Sequence, residues 1–177
     1  MKAVRDAFEA ARNDDGRIED AMAVVETFLA DAPGHPVAMA YQGGLHALKA
    51  AASALPWVKL RHANAAAALL DRAWSEAGRL AADSADRPPD LEIQLLRGIA
   101  YAHFPPFLGR AELARQCLDA ARAHAAFAAV PTLYRGLAHA HLAVLCHRER
   151  QPETALGHLE HALQTDAGAA DRIWAAR

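Results

Sequence analysis

The sequence is short of most residues that announce a chemistry. Cysteine occurs only at Cys117 and Cys146. Two cysteines make no disulfide framework, and they suit a reducing compartment. Lysine occurs only at Lys2, Lys49 and Lys59, and serine only at Ser53, Ser75 and Ser84. Valine, isoleucine and threonine are scarce and nowhere alternate for long, which argues against a sheet. No run of about 18 apolar residues exists to span a bilayer. The opening Met1-Lys2-Ala3-Val4-Arg5-Asp6 has no apolar stretch behind its charges, so no signal peptide is expected. A formal charge of -2, from 19 basic and 21 acidic side chains, gives no general attraction to nucleic acid or anionic membranes. These absences lead us to expect a cytoplasmic protein that binds neither.

What is present favours helices. The 177 residues are 53% hydrophobic and 23% charged, enough apolar material for one domain of ordinary size. About a quarter of the chain is alanine, the best helix former. Alanine excess also suits a GC-rich, bacterial-type genome, so periodicity carries more weight than composition. Apolar residues recur at helical steps between breaks at Asn13–Gly16, Pro33–Pro36, Leu55-Pro56, Arg87–Asp90, Phe104–Pro106, Pro131 and Gln151-Pro152. The pattern predicts helices over about 2–12, 17–31, 36–52, 58–82, 89–103, from 109 or 110 to past Ala121, 132–149 and 153–164, with a tail helix around 169–176. The fourth stripe reads Leu69, Leu70, Ala73, Trp74, Ala77 and Leu80; the eighth reads Leu156, Leu159, Ala162 and Leu163. Pro36, Pro89 and Pro152 suit first-turn positions. Short gaps imply antiparallel neighbours, hence four hairpins in a single domain over 1–177.

The hairpins share features. Gly43, Gly98 and Ala143 are small residues midway along first helices, and Tyr101 follows Gly98 by three. Ala21, Ala114 and Ala155 take comparable places in second helices, and Pro33 closes a hairpin just before Pro36 opens the next. This pattern resembles the tetratricopeptide repeat family, best over residues 14–46 and 132–166. The tryptophan–leucine–glycine signature is missing, and Phe104–Gly109 lengthens one turn. The resemblance implies an all-α fold of antiparallel helix hairpins stacked in a right-handed superhelix. It also implies non-catalytic protein binding: a scaffold that grips a peptide or helix in a concave, largely apolar groove lined by first helices. The groove would be lined by Val37, Ala40 and Gly44, by Glu92, Leu95, Ile99 and His103, and by Leu137, Val144, His147 and Arg148. The same residues could instead be core. The carboxylate clamp of some family members does not carry over, because Asp6 and Asn13-Asp14 would repel a carboxylate.

The segment Phe104-Pro105-Pro106-Phe107-Leu108-Gly109-Arg110 is the most individual stretch. Its large apolar side chains are expected to tuck under the hairpin, with Gly109 allowing tight entry to the next helix. The alternative is a small apolar-ligand pocket with Tyr101, Phe107 and Arg110 in its wall and His103 at its mouth. Ten histidines raise the question of metal. His158 and His161 are three apart and can share a face, and a histidine of the seventh helix could join them. His139 and His141 are two apart and diverge. Neither Glu-x-x-His nor His-Glu-x-x-His occurs, so solvated or capping histidines are the simpler reading and no metal or cofactor is expected. With no Gly-rich phosphate loop and no Gly-x-Ser-x-Gly elbow, no enzyme is expected either. Exposed Trp57 or Trp174 would mark a symmetric interface if the chain forms homo-oligomers.

Overall fold

The computed structural model describes residues 1–79 and 88–166. Among them are eight α-helices and no strand. The expected tail helix and Trp174 lie outside the described residues. The chain divides into two compact units, Met1–Ala85 and Asp86–Arg177.

The first unit holds α1 (Lys2–Asn13), α2 (Ile18–Asp31), α3 (Pro36–Ala52) and α4 (Pro56–Glu76). Asp14 stops α1, and its carboxylate accepts the Gly16 backbone N–H at 3.0 Å, turning the chain toward α2. The α3 start combines Pro36 with a cap from His35, whose Nδ1 accepts the Ala38 N–H at 3.3 Å. The α4 start is two residues earlier than the periodicity suggested. Pro56 occupies its first turn, where a missing N–H costs nothing.

α3 is the centre of this unit and packs on α1, α2 and α4. It is buried from Pro36 through Tyr41 and again over Gly43–Leu45. Two adjacent glycines make that possible. A Cβ on Gly43 would lie 2.8 Å from Leu70 Cγ and 3.2 Å from the Ala66 carbonyl, so α3 and α4 cross here at close range. A Cβ on Gly44 would lie 2.8 Å from the Phe8 ring, which fills that space and meets Tyr41 edge-on at 5.0 Å. The buried face of α4 is built on Ala63, Ala66, Ala67, Leu70 and Ala73, and Ala77 continues it just past the helix end. Trp74, expected on that stripe, is 37% exposed. The alanines let the backbones approach, which leaves no space inside for an indole.

The second unit holds α5 (Pro89–Ala102), α6 (Ala111–Ala123), α7 (Thr132–Arg148) and α8 (Pro152–Thr165). α7 packs on α5, α6 and α8 and is buried over most of its length. Gly98 marks the α5–α6 crossing: its Cβ would lie 2.6 Å from Leu118 Cγ and 3.3 Å from the Ala114 carbonyl. α4 and α6 share a buried small–large–small spacing, Ala66, Leu70 and Ala73 in one and Ala114, Leu118 and Ala121 in the other. Cys117 and Cys146 are buried and unpaired with each other.

The turn between α5 and α6 behaves as expected at two of its residues. Gly109 adopts φ 64°, a left-handed conformation that suits glycine. Phe104 is buried against Tyr101, with ring centres 5.4 Å apart. Phe107 departs from expectation: it is 74% exposed. The 3-10 turn at Pro106–Leu108 directs it outward. α8 also departs, since only Ala155 and Ala162 are buried while Leu156 and Leu163 are exposed.

Candidate functional site

The residues assigned to the concave face separate by burial. Val37 and Ala40 are buried, and Gly44 is occupied by the Phe8 ring, so these three present no open surface. In the second unit Glu92, Leu95 and Leu137 are buried as well. Ile99 and Val144 are half-buried, and His103, His147 and Arg148 are exposed. The accessible part of the face is therefore its C-terminal end.

That end is held by specific contacts. Ile99 lies four residues before His103, and Val144 four before Arg148, so each apolar residue sits one turn from a polar one on its own helix. Arg148 Nη1 donates to the Ala102 carbonyl at 3.4 Å. This satisfies an orphan carbonyl at the end of α5 and places positive charge where the helix dipole favours it. The His103 ring meets the His141 ring edge-on, 4.6 Å between centres. His141 is wholly buried, and burial first, then His103 and Arg148, holds its pKa well below the usual histidine range. Burial of the imidazole, then Arg148, lowers His103 also, although the residue as a whole is exposed. Both imidazoles are thus neutral at pH 7.

The N-terminal half of the same two helices holds only a small cleft. Leu91, Glu92, Leu95, Val130 and Tyr134 line it, and its volume of about 30 Å³ admits one or two waters. Of the residues of the alternative pocket, Tyr101 and Arg110 are brought together and Phe107 stands apart. Tyr101 is buried, and its ring carries the Arg97 guanidinium at 5.6 Å and the Arg110 guanidinium at 5.3 Å. Phe107 is exposed and directed outward.

The histidines pair between helices. His139 on α7 meets His158 on α8 with Nδ1 atoms 3.3 Å apart, and its ring centre is 5.1 Å from that of His161. His139 and His141 do diverge, one toward α8 and the other toward His103. Burial, then Arg122, His158 and His161, lowers the His139 pKa to about 4. His158 is lowered by burial and Arg122, against the opposing effect of Asp119. Sequence reasoning missed a second pair, His46 on α3 and His62 on α4, with Nδ1 atoms 3.0 Å apart. A signal existed. His46 lies about one turn after Gly43, and His62 one turn before Ala66, so an antiparallel crossing at those two residues brings the histidines level. Among the described residues no group of three or more His, Cys, Asp or Glu side chains is placed to hold a metal ion. No described helix is long and apolar enough to cross a membrane. No family model, curated protein or solved structure matches the chain.

Proposed function

We propose that the chain is a non-catalytic protein-binding module built of tetratricopeptide-like hairpins, and that its second unit receives a peptide or helix at the C-terminal end of α5 and α7. Packing order supports the hairpin reading. In each unit the first helices of successive hairpins are neighbours, α1 with α3 and α5 with α7, while the second helix of the first hairpin also packs on the next first helix. Glycine at two of the crossings, Gly43 and Gly98, agrees with the small residue the family places there.

The observation that carries the binding site is that Ile99 on α5 and Val144 on α7 are half-buried, each one turn from an exposed polar residue, at the end where His103 meets His141 and Arg148 meets the Ala102 carbonyl. An apolar side chain of a partner gains contact on the pair, and an acidic or carbonyl group meets Arg148. Rigid helices present the surface, so little ordering cost falls on the receptor. Tyr101 is buried while Phe107 is directed into solvent, which favours this reading over a small-ligand pocket at the 104–110 turn.

The test is affinity capture from host lysate with the full chain, its Ile99→Asp variant and its Arg148→Glu variant, each first checked for helical content. A stoichiometric partner should be retained by the wild type and lose about tenfold or more in affinity with either variant. A partner held equally by both folded variants would place the site elsewhere.

A further inference from the structure

We infer that the first unit joins copies of this chain head to tail: the apolar corner between α3 and α4 of one copy seats in the groove between α1 and α2 of the next. The corner is contiguous. Ala54, Leu55, Pro56, Trp57 and Leu60 are all exposed, Leu55 at 47% and Trp57 at 67%. A cluster of large apolar side chains in water marks a contact surface. The groove is open and holds about 390 Å³, against about 30 Å³ for the cleft beside Glu92. It therefore admits a large side chain where that cleft admits one or two waters. Val4, Ala23, Val24 and Phe28 make its lining apolar, with the exposed Thr27 and Asp31 beside them. The two surfaces lie at opposite ends of the unit. The groove forms where α1 begins and α2 ends. The corner lies where α2 begins, because Lys49 near the end of α3 bridges Glu19 in the first turn of α2 at 2.9 Å. A corner thus reaches the groove of another copy and not its own.

Charge selects this partner. Residues 32–70 contain no Asp or Glu, while Lys49, Lys59 and Arg61 all fall there. Lys49 is engaged by Glu19; Arg61 is exposed one turn after Trp57, on the same face of α4. α2 is the reverse: it carries Glu19, Asp20, Glu26 and Asp31 and no Lys or Arg. Asp20, Val24, Thr27 and Asp31 follow helical steps, so Asp20 and Asp31 flank the α2 wall of the groove. The first turns of α1 carry both signs, Lys2 and Arg5 against Asp6 and Glu9. A symmetric contact through Trp57 would set Lys59 and Arg61 against their own copies with no acidic residue of the hairpin to answer them. Seating the corner in the groove sets them against Asp20 and Asp31. Such a contact is heterologous: each added copy leaves one corner and one groove free, so association continues beyond two unless a ring closes.

The experiment is sedimentation velocity of the untagged full chain over about 5–500 μM, with Trp57→Asp to disable the corner and Thr27→Arg to disable the groove. Both substitutions replace exposed residues, and circular dichroism establishes that each variant is folded. The wild type should rise in mean mass with concentration, and each variant alone should associate about tenfold or more weakly. Mixing the two variants is the decisive arm. Trp57→Asp keeps its groove and Thr27→Arg keeps its corner, so the mixture should form a one-to-one dimer and stop at twice the chain mass. A wild type that stays monomeric over the whole range would overturn the inference. So would association lost in Trp57→Asp but kept in Thr27→Arg, the result expected of a symmetric contact, or no recovery on mixing. A monomer that sediments with phosphatidylserine vesicles through Trp57 would also overturn it, and would assign the basic, apolar corner to a lipid surface instead.

Discussion

The two units solve one packing problem with different residues. In the first, α3 is central and carries the tandem Gly43-Gly44, so it accepts Leu70 from α4 on one side and the Phe8 ring from α1 on the other. In the second, α5 has the single Gly98 against Leu118, and α7 is central with Tyr134, Leu137, Leu142 and Leu145 buried. The first unit gains burial by close backbone approach, and the second by larger side chains around α7. Polar burial differs too. The second unit buries Glu92, Arg97 and His141, whereas no charged residue or histidine of the first unit is fully buried among the described residues. A core made by close approach tolerates no added atoms, and a core holding buried polar groups is sensitive to their protonation.

The strongest way to break this comparison is to empty one matched position in each unit. Leu70→Ala and Leu118→Ala each remove a fully buried side chain at a glycine crossing and should cost roughly 2–5 kcal/mol. Segment-resolved hydrogen exchange should show the loss in α3 and α4 for the first and in α5 and α6 for the second. Uniform acceleration over all eight helices in both variants would mean that the cores are not separate.

Acid should sharpen the contrast. His141 has a folded pKa well below the usual value and His139 one of about 4, so the unfolded chain takes up protons first as pH falls below about 6.5. Stability from these histidines is complete above that pH and is lost progressively on the way down to the folded pKa. His46 and His62 act in the same direction in the first unit, from a less buried position than His141. The melting temperature should drop between pH 7 and pH 5, with the larger loss of protection in α5–α8. His141→Leu should flatten that drop; an unchanged pH profile would remove His141 as its source.

The smallest effect is expected at Phe107. Because its ring is in solvent, Phe107→Ser should change stability by less than about 0.5 kcal/mol. Phe104→Ala, three residues away and buried, should cost roughly 3–5 kcal/mol. Chemical denaturation of both variants makes the comparison, and a similar loss in each would mean that Phe107 is packed.

Much of the helix order was legible because the punctuation has local causes. α3 begins and ends where the sequence placed it, since Pro36 and its His35 cap act within one turn. Facing was less legible where large residues drew attention from small ones. The spacing points Trp74 inward, but alanines hold that face of α4; it points Leu156 and Leu163 inward as well, yet only alanines of α8 are buried. Periodicity finds an apolar stripe without saying whether a groove or a neighbouring helix covers it. Glu92, Leu95 and Leu137 therefore look the same in sequence as Ile99 and Val144, and only packing separates them. The histidine pairs depend on the register between helices, which small-residue crossings set and local sequence rules do not read.

Within each unit, every strong packing contact joins helices that are adjacent or next-but-one along the chain. That locality has a consequence in time. Loops that close are short, so little entropy is lost before contacts form, and folding in microseconds to milliseconds is expected of such a topology. Synthesis is far slower, at about 5–20 residues per second. Once residue 85 has emerged, translating residues 86–177 takes on the order of 5–20 s. The first unit thus has thousands of folding times to assemble its glycine-centred core before the last helix of the second exists.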